Sequence, residues 1–272
     1  MGRIKLALIY DFDKTLSPRD MQEYHLIGKL GYDNPDDFWK RCGELTEEQN
    51  VDGILSYMYM IAKEDPNLTK DDLIAEGQYI KLYPGVSTWF DRINEYGLRH
   101  GIDIEHYIIS SGIKEIIQGT SIAKEFKEIY ACSYCYDSNG KVLWPSRSIN
   151  YTMKTQYLFR INNGVFDERN DRDLNRSTPD DEKYLPYDHM IYFGDGMTDV
   201  PSMKVVNSLG GYTIAVFGQG IDKKKLAEEL YDKRRAAFMA KADYSKGSKI
   251  ERIVQGIIDS VESKARLEEF QK

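Results

Sequence analysis

The feature that most constrains this chain is a short apolar run that ends in carboxylates. Leu6 to Tyr10 are all apolar, and Asp11-Phe-Asp-Lys-Thr15 follows directly. A short run without polar alternation is typical of a parallel strand that is covered on both faces. Parallel sheets place their ligands outside the carboxyl ends of such strands. The run therefore predicts an α/β fold with a functional site where this strand ends.

Two further strands are predicted with polar residues at their ends. One is His106 to Ser110, and the other is His189 to Phe193, which is followed by Gly194-Asp-Gly-Met-Thr-Asp199. If these strands neighbour the first one, the residues that follow them meet at one edge of the sheet. The side chains expected there are Asp11, Asp13, Ser110, Asp195 and Asp199.

Carboxylates this close together repel each other unless a cation neutralises them. Hard oxygen ligands without clustered histidine or cysteine favour Mg²⁺ over Zn²⁺. The chain has a CxxC pattern at Cys132 and Cys135. Residues three apart in a strand point to opposite faces, so we do not expect this pair to chelate a metal. The metal expected at the sheet edge is therefore Mg²⁺.

Residues 17–82 have a different character and are predicted to be helical. Asn34-Pro35 is an N-cap followed by proline at the first helical position. Thr46-x-x-Gln49 and Thr69-x-x-Asp72 have the spacing of capping boxes. The segment is thus expected to be a small helical unit inserted after the first strand.

Two later segments carry their own predictions. Residues 128–144 are predicted to form a strand and hairpin with its turn at Asp137-Ser-Asn-Gly140. Residues 166–187 are polar and rich in Asp, Asn and Arg, which predicts a long loop or insertion. Loops of that length are uncommon and suggest function or mobility.

Composition excludes several classes of function. The formal net charge is −7, which argues against a general binder of nucleic acid or membrane surfaces. No segment approaches the roughly 20 apolar residues that span a bilayer. No signal-peptide pattern is seen, and three cysteines cannot form a disulfide framework. A cytoplasmic protein is therefore expected.

The order of these motifs resembles the haloacid dehalogenase (HAD) superfamily of phosphotransferases. The matching motifs are Asp11-Phe-Asp-Lys-Thr15, Ile108-Ile-Ser110, Lys154 and Gly194-Asp-Gly-Met-Thr-Asp199. The resemblance implies a Rossmann-like parallel sheet formed by residues 1–16 and 83–272. It also implies that residues 17–82 are an inserted helical C1 cap domain, as in the phosphoserine phosphatase-like branch.

The resemblance also implies a mechanism. Asp11 would be the nucleophile and form an aspartyl-phosphate, and Asp13 would act first as general acid and then as general base. Mg²⁺ would be held by the Asp11 carboxylate, the Asp13 backbone carbonyl and Asp195. Asp199 would orient metal-bound water or Lys154 from behind these ligands. The carboxylate at position 13 favours phosphoryl transfer over dehalogenation.

The remaining family positions would bind the phosphate or its substrate. Ser110 and backbone N–H groups beside Ser111 and Gly112 would hold phosphate oxygens, and Lys154 would neutralise charge. Thr15 would fix the first loop and contact Asp13. Two positions have alternatives, Ser111 for Ser110 and Lys141 for Lys154. Asp20 is either a contact for a substrate amine or a helix-start residue, and Arg41 is either a contact for a substrate carboxylate or a surface residue.

The expected function is Mg²⁺-dependent hydrolysis of a small phosphate monoester, a phosphorylated metabolite, with neither nucleic acid nor membrane as partner. Three alternatives stay open at this point. The phosphoryl group could pass to an acceptor other than water, as in a phosphotransferase or phosphomutase. The chain could bind a phosphorylated ligand without turnover. A phosphonatase would need a Schiff-base lysine in the cap, for which the candidates are Lys29, Lys40, Lys63 and Lys70.

Overall fold

A computed structural model describes residues 3–179 and 182–270 of the chain. Within these ranges, seven strands form one sheet in the order β4-β3-β2-β1-β5-β6-β7. All neighbouring strands are parallel except β3 and β4. The strands are β1 (Ile4–Tyr10), β2 (Ile102–Ile113), β3 (Glu128–Tyr136), β4 (Val142–Arg147), β5 (Met190–Gly194), β6 (Tyr212–Phe217) and β7 (Phe238–Lys241).

The first strand lies at the centre of the sheet, as its apolar sequence predicts. Leu6 to Tyr10 are fully buried. β1 pairs with β2 on one side, where Tyr10 faces Ile108, and with β5 on the other, where Tyr10 faces Phe193. The chain continues outward from β2 to β3 and later from β5 to β6, so the strand order reverses at β1. Such a switch point opens a crevice at the carboxyl ends of the strands.

Helices pack against this sheet and complete the predicted α/β fold. α5, α9 and α10 contact the sheet, and α11 packs on α5 and β7. Ser248 caps α11 by accepting a hydrogen bond from the Glu251 N–H. The helices are α1 (Leu26–Lys29), α2 (Pro35–Gln49), α3 (Gly53–Glu64), α4 (Lys70–Glu76), α5 (Val86–Arg99), α6 (Lys114–Gln118), α7 (Lys154–Asn163), α8 (Asp171–Leu174), α9 (Val200–Ser208), α10 (Ile221–Asp232) and α11 (Lys249–Glu269).

The segment 17–82 is helical, and two of its three predicted start signals are confirmed. Asn34 caps α2, with Pro35 at the first helical position, and Thr69 forms a capping box with Asp72 at the start of α4. The start predicted at Thr46 is wrong, because α2 runs without a break from Pro35 to Gln49. The Thr46 hydroxyl instead donates within the helix to the Cys42 carbonyl. The residue that caps α3 is Asp52, which accepts hydrogen bonds from two backbone N–H groups.

This helical segment is joined to the sheet at its edge. The hairpin of β3 and β4 is formed as predicted, and its turn region exchanges backbone hydrogen bonds with residues 68–70: Lys70 N–H with Gly140 and Val142 N–H with Leu68. Helix α4 packs directly on α6. A division into a core and a separate cap domain stays a prediction, since the segment contacts the sheet unit at several points.

The CxxC pair and the polar segment 166–187 were both singled out from the sequence. Cys132 is buried and Cys135 is exposed, as expected for residues on opposite faces of β3. The segment 166–187 is irregular apart from α8 and short 3₁₀ turns, and its residues 180 and 181 lie outside the described part of the chain. Within the described ranges, no helix is both long and apolar enough to span a bilayer.

Gly119→Ala tests the contact between α4 and α6. A Cβ atom at Gly119 would lie 1.8 Å from the Ile74 carbonyl oxygen, which is backbone and cannot rotate away. We expect the substitution to lower the free energy of unfolding by about 1–3 kcal/mol, the usual cost of overpacking. Urea denaturation measures this loss. Gly256→Ala is the control, because its Cβ would meet nothing within 4 Å and alanine favours the helix. Equal stability of both variants would contradict the close packing.

Candidate active site

The ends of β1 and β5 bring three aspartates together. The Asp11 N–H donates to the Phe193 carbonyl at 2.9 Å, so Asp11 continues the pairing of β1 with β5. Asp195 follows β5, and Asp199 follows after one short turn. Carboxylate oxygens of Asp11, Asp195 and Asp199 all lie within 4.8 Å of one another. The structure therefore brings together three of the four carboxylates that were predicted to meet.

A buried lysine balances part of this negative charge. Lys154 is the first residue of α7 and is 1% exposed. Its Nζ lies 3.0 Å from Asp11 Oδ1 and 2.8 Å from Asp199 Oδ1. The alternative, Lys141, lies in the hairpin, where it pairs with Thr69. Lys154 is thus the lysine that the fold delivers to the cluster.

Both carboxylate oxygens of Asp199 accept hydrogen bonds. Oδ1 accepts hydrogen bonds from Lys154 and from the Tyr192 hydroxyl, and Oδ2 accepts from the N–H groups of Asp195 and Gly196. A Cβ at Gly194 would lie 2.4 Å from Asp199 Cγ, so only glycine fits there. Both oxygens of Asp199 thus already accept hydrogen bonds from Lys154, Tyr192 and the Asp195 loop. This fits the expected role of orienting Lys154 or metal-bound water from behind the metal ligands, and that role stays a prediction.

Asp195 differs from Asp199 in having no such partners. Among the described residues, no ion pair or hydrogen bond to its carboxylate is seen. Burial and the neighbouring Asp11 and Asp199 raise the pKa of Asp195 to about 8. Burial also raises the pKa of Asp11 to about 6, although Lys154 opposes the change. Three carboxylates beside one ammonium leave negative charge that a bound cation would neutralise.

Asp13 lies in a tight loop next to the cluster. The Phe12 carbonyl accepts hydrogen bonds from three successive N–H groups, residues 15–17, and Lys14 adopts a left-handed φ of 58°. The Asp13 carboxylate accepts from the Met21 N–H at 2.9 Å. Burial, together with the charges of Asp20 and Asp11, raises the pKa of Asp13 well above its usual value. A carboxyl group held in its protonated form can donate a proton.

The predicted phosphate-binding residues lie in a bulge at the end of β2. Ile109 pairs with Tyr130 and Ile113 with Cys132, so extra residues protrude between them. The Ser110 hydroxyl accepts a hydrogen bond from the Gly112 N–H at 3.0 Å and keeps its own O–H as a donor. Ser110, Ser111 and Gly112 all line the cavity, and the buried Ser111 hydroxyl has no hydrogen-bond partner among the described residues. The expected role of these residues in holding phosphate oxygens stays a prediction, with Ser111 as the alternative to Ser110.

Two other predicted residues have different surroundings from those expected. Thr15 is fully buried, its N–H donates to the Phe12 carbonyl within the loop, and its hydroxyl has no hydrogen-bond partner among the described residues. Asp20 lines the cavity and forms an ion pair with Lys14. Asp20 directly precedes the short 3₁₀ turn Met21–Glu23, but its side chain accepts no capping hydrogen bond from the turn.

These groups surround a cavity of about 410 Å³. Helices α2 and α3 contribute Trp39 and Tyr57 to its wall. The Tyr57 hydroxyl donates to the Ser111 carbonyl at 2.7 Å, which connects the helical segment to the bulge. The sequence analysis missed several wall residues, which are Gln22, Glu23, Trp39, Gly53, Ile54, Tyr57, Tyr151 and Lys223. Arg41 does not reach the cavity; it is exposed and pairs with Glu64.

No protein-family model matches the chain. An uncharacterized protein from Borreliella burgdorferi is 28% identical over 276 aligned positions, which cover 90% of this chain and 93% of that protein. A probable phosphoserine phosphatase from Vibrio cholerae is similar in structure with a TM-score of 0.60 and 10% identity, over 96% of this chain and 67% of that one. A HAD family hydrolase from Salmonella enterica has a TM-score of 0.57 and 16% identity, over 85% and 71% of the two chains.

A phospho-aspartyl intermediate analogue of phosphoserine phosphatase also matches, with a TM-score of 0.53 and 13% identity over 93% of this chain and 99% of that one. Likenesses at these identities show the fold. The chain therefore has the fold of HAD hydrolases of the phosphoserine phosphatase type, and the resemblance inferred from the motifs is confirmed at that level.

Lys154→Met tests the buried charge balance. Removing the ammonium leaves Asp11 and Asp199 unpaired, which we expect to cost about 3–5 kcal/mol of stability at neutral pH. The pKa of Asp11, already raised to about 6, rises further without the Lys154 charge, so the folded variant binds more protons than the unfolded chain. The loss should then shrink as the pH falls, because stability decreases with rising pH while the native state holds the extra protons.

Urea denaturation at about pH 8 and about pH 5.5 measures both effects. Lys141→Met is the control and should change stability little at either pH, since that lysine does not touch the cluster. A Lys154→Met variant as stable as the control at both values would show that the ion cluster does not stabilise the fold.

Proposed function

We propose that this protein is a phosphatase that hydrolyses a small phosphate monoester through a phosphorylated Asp11. The observation that carries the proposal is that the Asp11 carboxylate lies 3.0 Å from the buried Lys154 ammonium and lines the same cavity as Asp13. Burial and nearby negative charge raise the pKa of Asp13 well above its usual value, which favours the protonated form. A nucleophile and a proton donor in one cavity are what two-step phosphoryl transfer requires. The fold shared with HAD hydrolases also supports a phosphatase.

The donor set fits a divalent magnesium ion. Asp11 and Asp195 offer carboxylate oxygens, and no histidine or thiol lies in the described cluster. The resemblance to HAD hydrolases adds the Asp13 backbone carbonyl as a third oxygen. Hard oxygen donors of this kind suit Mg²⁺. When bound, the ion offsets the repulsion between the Asp11 carboxylate and the anionic phosphate. Asp199 supports this site through its hydrogen bonds to the Asp195 and Gly196 backbone.

Each side chain has a separate role in the two steps of the proposed reaction. An Asp11 carboxylate oxygen attacks phosphorus, the bond from phosphorus to the ester oxygen breaks, and Asp13 gives its proton to the leaving alkoxide. In the second step, ionised Asp13 takes a proton from water as that water attacks the phosphorus of phospho-Asp11. The bond from phosphorus to the Asp11 oxygen breaks, which releases inorganic phosphate and restores the Asp11 carboxylate. Lys154 holds Asp11 in place throughout, and the Ser110 hydroxyl donates to a phosphate oxygen.

We also propose that the helices of residues 17–82 act as a cap. The proposal is supported by Trp39 and Tyr57, which line the cavity, and by the Tyr57 hydroxyl, which donates to the Ser111 carbonyl. A wall of this kind excludes water and contacts the leaving group of the ester. A covered site of this size suits a small phosphorylated metabolite.

Asp11→Asn tests the nucleophile. We expect Mg²⁺-dependent phosphate release from a panel of monoesters, including p-nitrophenyl phosphate and O-phosphoserine, to fall by about a thousandfold or more. Release is measured with Mg²⁺ and with EDTA, and Asp232→Asn, an exposed aspartate on α10, is the control. Release retained in Asp11→Asn would refute the assignment. Turnover that needs an added alcohol acceptor would identify a phosphotransferase instead.

Asp13→Asn separates the two steps. An aryl phosphate has a good leaving group that needs little protonation, so Asp11 should still be phosphorylated. Hydrolysis of phospho-Asp11 should slow, because no carboxylate remains to take the proton from water. Mass spectrometry of the quenched enzyme should therefore show one added phosphoryl group on the peptide containing Asp11. A variant that turns over at the wild-type rate would contradict this role for Asp13.

The affinity for Mg²⁺ should depend on pH. Protons compete with the cation for Asp195, whose pKa is raised to about 8, so affinity should fall as the pH drops below that value. Calorimetric titration of the protein with Mg²⁺ at about pH 6 and about pH 8.5 tests this without any turnover. Asp195→Asn should bind weakly at both values. Wild-type affinity that is independent of pH would contradict the site.

A further inference from the structure

One peptide unit in the bulge at the end of β2 is held at both of its ends. The Ser111 carbonyl accepts hydrogen bonds from the Tyr57 hydroxyl at 2.7 Å and from the Cys132 thiol at 3.3 Å. The Gly112 N–H, at the other end of the same peptide unit, donates to the Ser110 hydroxyl at 3.0 Å. A peptide unit is planar, and its C=O and N–H point in opposite directions. Fixing the Ser111 carbonyl therefore fixes the direction of the Gly112 N–H.

The direction of this peptide unit decides whether the bulge can hold an anion. Backbone N–H groups attract phosphate oxygens, whereas a carbonyl oxygen in the same place would repel them. Gly112 lines the cavity beside the proposed acid, because a Cβ atom there would lie 3.0 Å from Asp13 Oδ2. Glycine also lets a peptide unit rotate with little steric cost. The bulge therefore needs a contact from outside to keep the Ser111 carbonyl turned into the protein.

Tyr57 supplies that contact from the helical segment, and other interactions fix its position. It lies on α3, is 4% exposed and packs edge-on against Trp39. The carbonyl of the next residue, Met58, accepts a hydrogen bond from the buried Tyr134 hydroxyl of β3 at 2.8 Å. Burial raises the pKa of Tyr57 well above its usual value, so its hydroxyl keeps the proton that it donates. Helix α3 thus presents a fixed donor to the bulge.

The Cys132 thiol supports the same carbonyl from the sheet. It is fully buried on β3, and its sulfur accepts a hydrogen bond from the Ile149 N–H at 3.2 Å, which leaves the S–H for Ser111. Burial raises the pKa of Cys132 to about 11, so the thiol is protonated at neutral pH. A thiol is a weak donor compared with a hydroxyl. Tyr57 is therefore the stronger of the two donors to the Ser111 carbonyl.

We infer that Tyr57 is a positioning residue of the proposed phosphatase: its hydroxyl holds the Ser111 carbonyl and thereby directs the Gly112 N–H to a phosphate oxygen. Tyr57 acts through this peptide unit and touches no reacting atom. The helical segment then contributes to phosphate binding as well as to the wall of the cavity. The inference rests on the proposed function, because that proposal makes the bulge the place where phosphate binds.

Tyr57→Phe tests the inference, since it removes the hydroxyl and keeps the ring that packs against Trp39. We expect the variant to bind inorganic phosphate about tenfold or more weakly in the presence of Mg²⁺, because a misdirected N–H loses its charge-assisted hydrogen bond. Calorimetric titration with phosphate measures this without turnover. Tyr59→Phe makes the same change at an exposed position of the same helix and should keep the wild-type affinity. Urea denaturation of both variants checks that they fold.

Two esters give a second readout that a purely structural role of Tyr57 would not produce. p-Nitrophenyl phosphate and O-phosphoserine share the phosphoryl group and differ in the leaving group. Because the inferred role concerns the phosphoryl group alone, kcat/KM of Tyr57→Phe should fall by the same factor for both esters, about tenfold or more. Cys132→Ala removes the weaker donor to the same carbonyl and should lower both values by about threefold.

The outcomes separate this inference from the proposed function. Wild-type phosphate affinity in Tyr57→Phe, together with phosphate release that is lost in Asp11→Asn, would overturn the positioning role and leave the phosphatase standing. A loss confined to one of the two esters would also overturn it, since Tyr57 would then contact the leaving group. A wild-type protein that neither binds phosphate nor releases it from any ester would overturn both proposals.

Discussion

The buried ammonium of Lys154 is the interaction on which the site depends. It pairs with Asp11 after β1 and with Asp199 after β5, while Lys154 itself begins α7. Charges this deeply buried are tolerated only when they are paired. The three residues come from distant parts of the chain and meet only when β1 lies between β2 and β5. The charged cluster therefore forms only when the strands of the sheet are correctly assembled.

The same cluster explains why two neighbouring aspartates have different roles. Asp199 receives four hydrogen bonds, whereas the Asp195 carboxylate receives none from the described residues. The glycine at position 194 permits this closeness, since any side chain there would collide with Asp199. A single short turn thus contains one carboxylate that organises the site and another that remains available to a cation.

Local sequence was sufficient for the parts of the structure that local forces determine. The apolar run of β1, the caps at Asn34 and Thr69 and the hairpin turn at 137–140 were all predicted, because each depends on neighbouring residues. The helix start predicted at Thr46 was wrong because residues with capping-box spacing also occur inside a helix, here α2. The short strand β7 has only four residues and little pattern to detect.

The active-site residues that the motifs predicted were those at strand ends, where chain direction alone brings them together. Lys154 could also have been found from its spacing, since it shares the buried face of α7 with Tyr157, Leu158 and Ile161. Gln22, Glu23 and Trp39 offered no such signal. Their place in the cavity depends on how the helical segment folds back over the sheet, which is a tertiary contact between residues distant in sequence.

The turn Met21–Glu23 connects the proposed proton donor to the wall of the cavity. The Met21 N–H donates to the Asp13 carboxylate at 2.9 Å, and the next two residues, Gln22 and Glu23, line the cavity. The Met21 sulfur also accepts from the Ile113 N–H, which anchors the turn to the end of β2. One backbone segment thus joins the loop of Asp13, the end of β2 and the helical segment, so the position of the Asp13 carboxylate depends on how residues 17–82 pack on the sheet.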